Sequence, residues 1–401
     1  MRTRTLLLAL LCAALAAPSG AQTVRARRRP TPAVSVPGRA GPLPTPCSRP
    51  PLVDPAYRDP VDLSPWQLCG SRAWPFSAAY TPDGEELYVT LFGGLVGSGG
   101  CAVVRLDPDT FQLRGTVMTG ESPEELAFVT RPDGSLVLGF VTDSSASSVT
   151  VFDASDTTVA TIPIPADPNG SFGTAFPYGL AVSPDQSTVH VGTLDGGGII
   201  HAIDVASLQL DPARAIDLGS GAGVSRMAFV GPELTFGVTR FFPGLTGSEA
   251  EFAVVDPRNP AAVRSVVLGS ANNTGRFPSP QDVAVACNGT VWLAGFDLGA
   301  RVFNIDPAGP TVVASVPTLT SQPDGKFQAL GLSPDGLLVV SDFFTNEVAT
   351  IDANRLAWRS ILDLSSVPAS HRAAQDVVFS PDGRTMVVPW AASDDLAVFD
   401  L

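Results

Sequence analysis

From about residue 74 to the end of the chain, apolar and polar positions alternate in runs of five to eight residues, broken at regular intervals by turn residues. The segments AAYTPDGEELYVT (78–90), LAVSPDQSTVHVGT (180–193), LGLSPDGLLVVSD (330–342) and VVFSPDGRTMVV (377–388) are typical. Branched and aromatic residues dominate them and no 3.6-residue period appears, so each reads as two strands joined by a tight turn. In that turn Pro presets one dihedral and Gly accepts positive φ, which lets the first strand reverse into the second.

The unit repeats. A short strand ending in Asp recurs at Asp107, Asp153, Asp204, Asp256, Asp306, Asp352 and Asp400, spaced by 46, 51, 52, 50, 46 and 48 residues. Upstream of each lies a turn: TPDG at 81–84, RPDG at 131–134, SPDQ at 183–186, GPE at 231–233, CNG at 287–289, and SPDG at 333–336 and 380–383. A period near 50 built from short strands predicts an all-β, seven-bladed β-propeller with four-stranded blades. The seventh unit stops just after its third strand, so its outermost strand is expected from the N-terminal side. Pro60-Val61-Asp62-Leu63 is similar to the fourth-strand segments AIDLGS (215–220) and ILDLSS (361–366), and residues 57–64 are expected to complete the last blade as a closing strand.

These strings, LYVT at 87–90 and the repeated SPDG above all, resemble the YVTN-type β-propeller repeats of bacterial surface and secreted proteins, and more loosely the lactonase-like propellers. The resemblance covers about residues 74–401. Its motifs punctuate blades and carry no chemistry, so it bears on fold alone.

Ahead of the repeats, MRTRT, the apolar run Leu6–Ala17 and Ser19-Gly20-Ala21 read as a signal peptide (1–21) cleaved near Ala21. The apolar run is too short to span a bilayer, no later one is longer, and a secreted or periplasmic location is expected. Residues 22–56 form a Pro-rich basic linker, leaving 57–401 for the propeller. Removing the leader leaves Cys47, Cys69, Cys101 and Cys287, and the oxidising compartment makes disulfides the default. Cys69 and Cys101 start the first and third strands of blade one on the same face and are the preferred pair. Cys47–Cys287 is the complementary pairing. No CxxC or CxxCH occurs, against a haem or zinc knuckle.

The chain has 25 basic and 39 acidic side chains. Eight of the Arg fall in residues 1–49, which have no Asp or Glu, so the remainder balances to 17 − 39 = −22. An electronegative body repels polyphosphates, and no nucleic-acid partner is expected. A monomer is expected.

In a propeller the starts of the first strands and the ends of the second strands share one face around the central channel. The first set supplies Trp74, Glu124, Glu125, Tyr178, Arg226, Gln281, Asp282, Gln328, Gln375 and Asp376; the second supplies Asp143, Asp195, Arg240, Asp297, Asp342 and Trp390. Gln281-Asp282 echoes Gln375-Asp376, and Arg240-Phe241-Phe242 echoes Asp342-Phe343-Phe344. One reading is a carboxylate-lined mouth with aromatic walls, suited to a hard cation such as Ca²⁺, an organic cation or a sugar. The other is repeat symmetry, with Asp capping a strand start through backbone N–H groups. Glu124 and Glu125 are neighbours in an extended strand, so only one is expected to face the channel.

Of the three histidines, His190 and His201 lie in blade three and only His371 is near the mouth. No HxH, HExxH or GxSxG motif occurs, and the glycines of 93–100 and 196–198 lack the helix that a phosphate loop needs. The leading expectation is an exported binding protein that recognises a small molecule, glycan or envelope partner at the mouth, with no evident cofactor. The alternative is a lactonase-like hydrolase or isomerase, with Asp282, Asp342 or Asp376 as base and Arg226 or Arg240 stabilising negative charge.

Overall fold

The computed structural model describes residues 55–401 except 59, 71, 95–98, 167–173, 273–275, 318–325, 344–346 and 363–372. Seven antiparallel sheets follow one another in chain order and form a seven-bladed β-propeller. Blade one comprises Pro75–Tyr80, Leu87–Leu91, Ala102–Leu106 and Leu113–Met118, and the later blades repeat this meander. First strands are Pro123–Thr130, Pro177–Val182, Ala222–Val230, Ser279–Val285, Phe327–Leu332 and Val378–Phe379 in blades two to seven. Blade three departs on its outer side, where Gln209–Leu210 and Ile216–Asp217 both pair with Ile199–Asp204.

The recurring Asp residues are turn formers. Asp107 accepts from the backbone N–H of Asp109 and Thr110, Asp153 from Ser155 and Thr157, Asp256 from Arg258, and Asp306 from Ala308. Each side chain thereby satisfies the N–H groups where the third strand turns into the fourth. The hydrogen bonds from Thr110 hold the Asp107 carboxyl down at about 2. The PDG turns work alike: Asp83, Asp133 and Asp382 accept from the residue two positions on. Gly134 sits there at φ +89°, and a Cβ would come within 2.7 Å of the Asp83 nitrogen. Blade three places Gln186 at the same spot with φ +59°. Its Oε1 accepts from Thr130 N at 2.5 Å, a bond to blade two that offsets the strain.

Seven apolar clusters lie between successive blades, as where Tyr88 and Val103 of blade one meet Val141 and Phe152 of blade two. Strands are therefore buried on both faces, which explains runs such as Leu87–Leu91 that are apolar without strict alternation.

On the outer side of blade seven, Ala56–Tyr57 and Val61–Asp62 pair antiparallel with Asp395–Asp400. The strand expected over 57–64 is thus two short pieces, interrupted near Pro60, which lacks an N–H. Leu63 is fully buried between blades one and seven, and Tyr57 stacks on Trp390. Cys69 and Cys101 are joined, closing 32 residues of chain, a constraint worth about 4 kcal/mol in the loop-entropy account. Cys287 is also disulfide-bonded, while Cys47, its expected partner, lies outside the described residues. No described helix is long and apolar enough to cross a membrane.

Candidate functional site

In blades one to six the first strand slips register near its channel end, between Pro75 and Ala78 in blade one and between Pro123 and Leu126 in blade two. A bulge re-aims the residues it contains. Aligned on the apolar residue after the slip, the strands contribute two tiers to the channel. The mouth-side tier is Phe76, Glu124, Tyr178, Ser225, Gln281, Gln328 and Gln375; the tier below is Ser77, Glu125, Gly179, Arg226, Asp282, Ala329 and Asp376.

The lower tier converges on one guanidinium. Arg226 Nη1 donates to Asp282 Oδ2 at 3.0 Å and to Asp376 Oδ1 at 2.6 Å, and its Nε lies 2.6 Å from Glu125 Oε2. The two echoed aspartates also clamp the next blade. Asp282 accepts from Val283 N (2.7 Å) and from Leu330 N of blade six (2.7 Å). Asp376 accepts from Val377 N (2.8 Å), Ala78 N of blade one (3.2 Å) and Ser77 Oγ (2.7 Å). One buried cation thus draws together carboxylates from blades two, five and seven, and two of them hold blades six and one. Asp282 and Asp376 thus accept backbone N–H groups at their strand starts.

Glu124 is buried and the half-buried Glu125 ion-pairs with Arg226, although strict alternation would turn one of the two away. The bulge removes that alternation: the Glu125 N–H leaves the ladder and donates to Thr142 Oγ1 at 2.9 Å. Thr142 Oγ1 in turn donates to Tyr178 O of blade three, and Thr90 repeats the device between Ser77 N and Glu124 O. These second-strand threonines were absent from the sequence-derived site. Their recurrence at the same place in successive units, Thr90 and Thr142, is the signal that marks them.

Burial pushes the Glu124 carboxyl up to about 8, partly offset by a hydrogen bond with Ser144. It likewise raises Glu125 and Asp282, against the pull of Arg226. Burial opposes the charge on Arg226, yet Asp376, Glu125 and Asp282 hold it firmly protonated. In the unfolded chain a glutamate titrates near 4.5. The Glu124 proton therefore contributes stability below pH 4.5 that is lost as pH rises through 8, at up to about 1.4 kcal/mol per pH unit. Glu124→Gln is expected to raise the melting temperature at pH 8 and leave it nearly unchanged at pH 4.5. Parallel pH profiles of variant and wild type would show that this carboxyl does not titrate in that window.

Above the ionic tier lies an apolar cap. Trp74, Phe76 and Phe92 of blade one, Tyr178 of blade three, and Ala373 and Ala391 of blade seven form one buried cluster, flanked by Leu194 and Phe343. Phe76 meets Phe92 at 5.3 Å and Tyr178 edge-on at 6.1 Å. Gln328 of blade six donates to the Tyr178 hydroxyl at 3.2 Å, across the ring.

The remaining sequence-derived candidates lie apart from this centre. Arg240 ion-pairs with Glu251 and donates to Leu218 O, within the long hairpins of blade four. Asp342 is buried and accepts from Lys326 N, fastening the start of blade six. Trp390 is packed between blades six and seven. Gln281 turns back to Ser279 Oγ (2.9 Å), and the Gln375 N–H is held by Pro389 O. Asp143 accepts from Ser148 and Thr150, and burial lifts it to about 6. His190 is buried, which lowers it to about 4, while His371 and Phe344 lie outside the described residues. Among the described residues no group of three or more His, Cys, Asp or Glu is placed to hold a metal ion. The central carboxylates converge on a guanidinium instead.

No family model matches the chain, and no curated protein matches it in sequence. Solved structures share its fold. Hydrazine synthase of Kuenenia stuttgartiensis superposes with a TM-score of 0.63 at 18% identity, over 82% of this chain and 96% of that one. Virginiamycin B lyase from Staphylococcus aureus gives 0.59 at 12% identity, over 86% and 99%. A chain of a mitotic checkpoint complex gives 0.60 at 13%, over 94% and 99%. At such identities the likeness is one of fold, and these three share it across unrelated roles.

Proposed function

We propose that this chain is an exported, non-enzymatic binding protein of the YVTN-like propeller type, recognising a small molecule, glycan or envelope partner on the mouth face. One observation carries this reading. The groups that would serve as base and electrophile in a lactonase-like reaction, Asp282, Asp376 and Arg226, are bound to one another and to backbone N–H groups of adjacent blades. A general base must reach a substrate proton, and an oxyanion donor must face developing charge. Here the carboxylate oxygens face Arg226 and the backbone, beneath a layer of aromatic rings. The disulfide is compatible with export, in keeping with the N-terminal leader read from the sequence.

The test is Asp282→Asn. In a binding protein this substitution lowers the melting temperature by several degrees, because it weakens the clamp on Leu330 N and the pair with Arg226, and neither wild type nor variant hydrolyses a lactone panel above buffer. Lactone turnover in the wild type that Asp282→Asn abolishes without a change in melting would establish the hydrolase reading instead.

A further inference from the structure

The channel network is incompletely satisfied. Among buried side-chain atoms without a hydrogen-bond partner are Glu124 Oε2 and Arg226 Nη2, on blades two and four around one axis, whereas Glu125 Oε2 is taken up by Arg226 Nε. Glu124 is 2% exposed and Arg226 6%. Orphaned buried polar atoms are costly, and a fully buried carboxylate oxygen without a donor marks a place for a bound polar group. The tiers place Glu124 beside the aromatic cap: Phe76 of blade one and Tyr178 of blade three meet edge-on across blade two, which supplies Glu124.

Charge selects the class of group. Around the single guanidinium stand Glu124, Glu125, Asp282 and Asp376, a carboxyl excess that repels anions. The unpartnered Glu124 oxygen is an acceptor and calls for an N–H or O–H donor. Aromatic faces overhead stabilise a cation but contribute nothing to a hydrated metal ion. We propose that the channel beneath the Phe76–Tyr178 pair is a subsite for a primary ammonium head group, with Glu124 as its acceptor. This rests on the binding reading above and supplies its ligand class. The ammonium replaces the proton that Glu124 otherwise carries, so binding releases a proton and tightens with rising pH.

The experiment is calorimetric titration of the mature protein with ethylammonium, tetramethylammonium, Ca²⁺ and acetate at pH 6.5 and 9, with wild type and Glu124→Gln. Ethylammonium is expected to bind, at least tenfold more tightly at pH 9, with proton uptake by the buffer at pH 6.5, and at least tenfold more weakly in Glu124→Gln. Tetramethylammonium offers no N–H donor and is expected to bind far less well. Equal ethylammonium affinity in wild type and variant, preference for tetramethylammonium or Ca²⁺, or absence of ammonium binding would overturn the proposal. Binding of a sugar in place of ammonium would leave the binding reading standing. Lactone turnover would remove that reading separately. Melting curves of Glu124→Gln, expected to match or exceed wild type, establish that its loss of binding is not loss of fold.

Discussion

Replacing Arg226 by methionine is expected to destabilise the fold by about 3–5 kcal/mol, the usual consequence of removing one partner from a buried ionic cluster. Methionine keeps much of the side-chain volume, so the loss reports charge more than packing. Without the guanidinium, Glu125, Asp282 and Asp376 face one another with backbone N–H groups as their main compensation. The folded-state pKa values of Glu125 and Asp282, already raised by burial, then move further above the unfolded ones. A carboxyl with a raised folded pKa contributes stability at low pH that disappears as pH rises through that value. The gap between Arg226→Met and wild type is therefore expected to be smallest near pH 4 and to widen toward pH 8. Urea midpoints at the two pH values measure it, and adding Asp282→Asn to Arg226→Met is expected to recover part of the loss. A gap that is constant with pH would mean that Arg226 acts through packing alone.

The second large effect lies at the rim. A chain starting at Ser64 lacks the two strand pieces that pair with Asp395–Asp400. It also lacks buried Leu63, the Tyr57 contacts with Trp390 and Phe399, and the backbone bonds from Arg58 and Leu63 to Val398 and Asp394. Losing Leu63 alone costs on the order of 2–5 kcal/mol, as for other fully buried leucines. The exposed Arg58–Asp400 pair adds little. The unpaired last strand then presents DLAVFD as a flat edge open to pairing with another chain. The truncated protein is expected to melt at least 10 °C lower and to scatter light on concentration, with Leu63→Ala giving a milder loss and no aggregation. A truncated chain that melts like wild type and stays monomeric by light scattering would show that these strands are ornamental.

The blade count and the turn chemistry were legible along the chain, because they rest on local rules. A PDG turn or an Asp that caps two N–H groups needs only its own neighbours, so Asp107 or Asp133 does the same work wherever the blade is placed. The Cys69–Cys101 pair was legible for a related reason, since strand direction within one blade puts both residues on one face. The candidate site divided differently. Asp282, Asp376, Arg226, Glu124 and Tyr178 were marked as channel residues from their place in the repeat. That the first three bind each other, that Arg240 and Trp390 lie elsewhere, and that Glu125 joins Arg226 beside a buried Glu124 came only from the folded ring.

The physical reason is sequence distance. Arg226 reaches Asp376 across 150 residues and Asp376 reaches Ser77 across 299. Such contacts depend on the ring bringing every blade to one axis, and on bulges that no alternation rule foresees. The sequence by itself determined a ring of seven similar four-stranded sheets. The tertiary structure alone decided that the acids at its centre serve a shared arginine, because only closure of the ring puts those charges within hydrogen-bond reach.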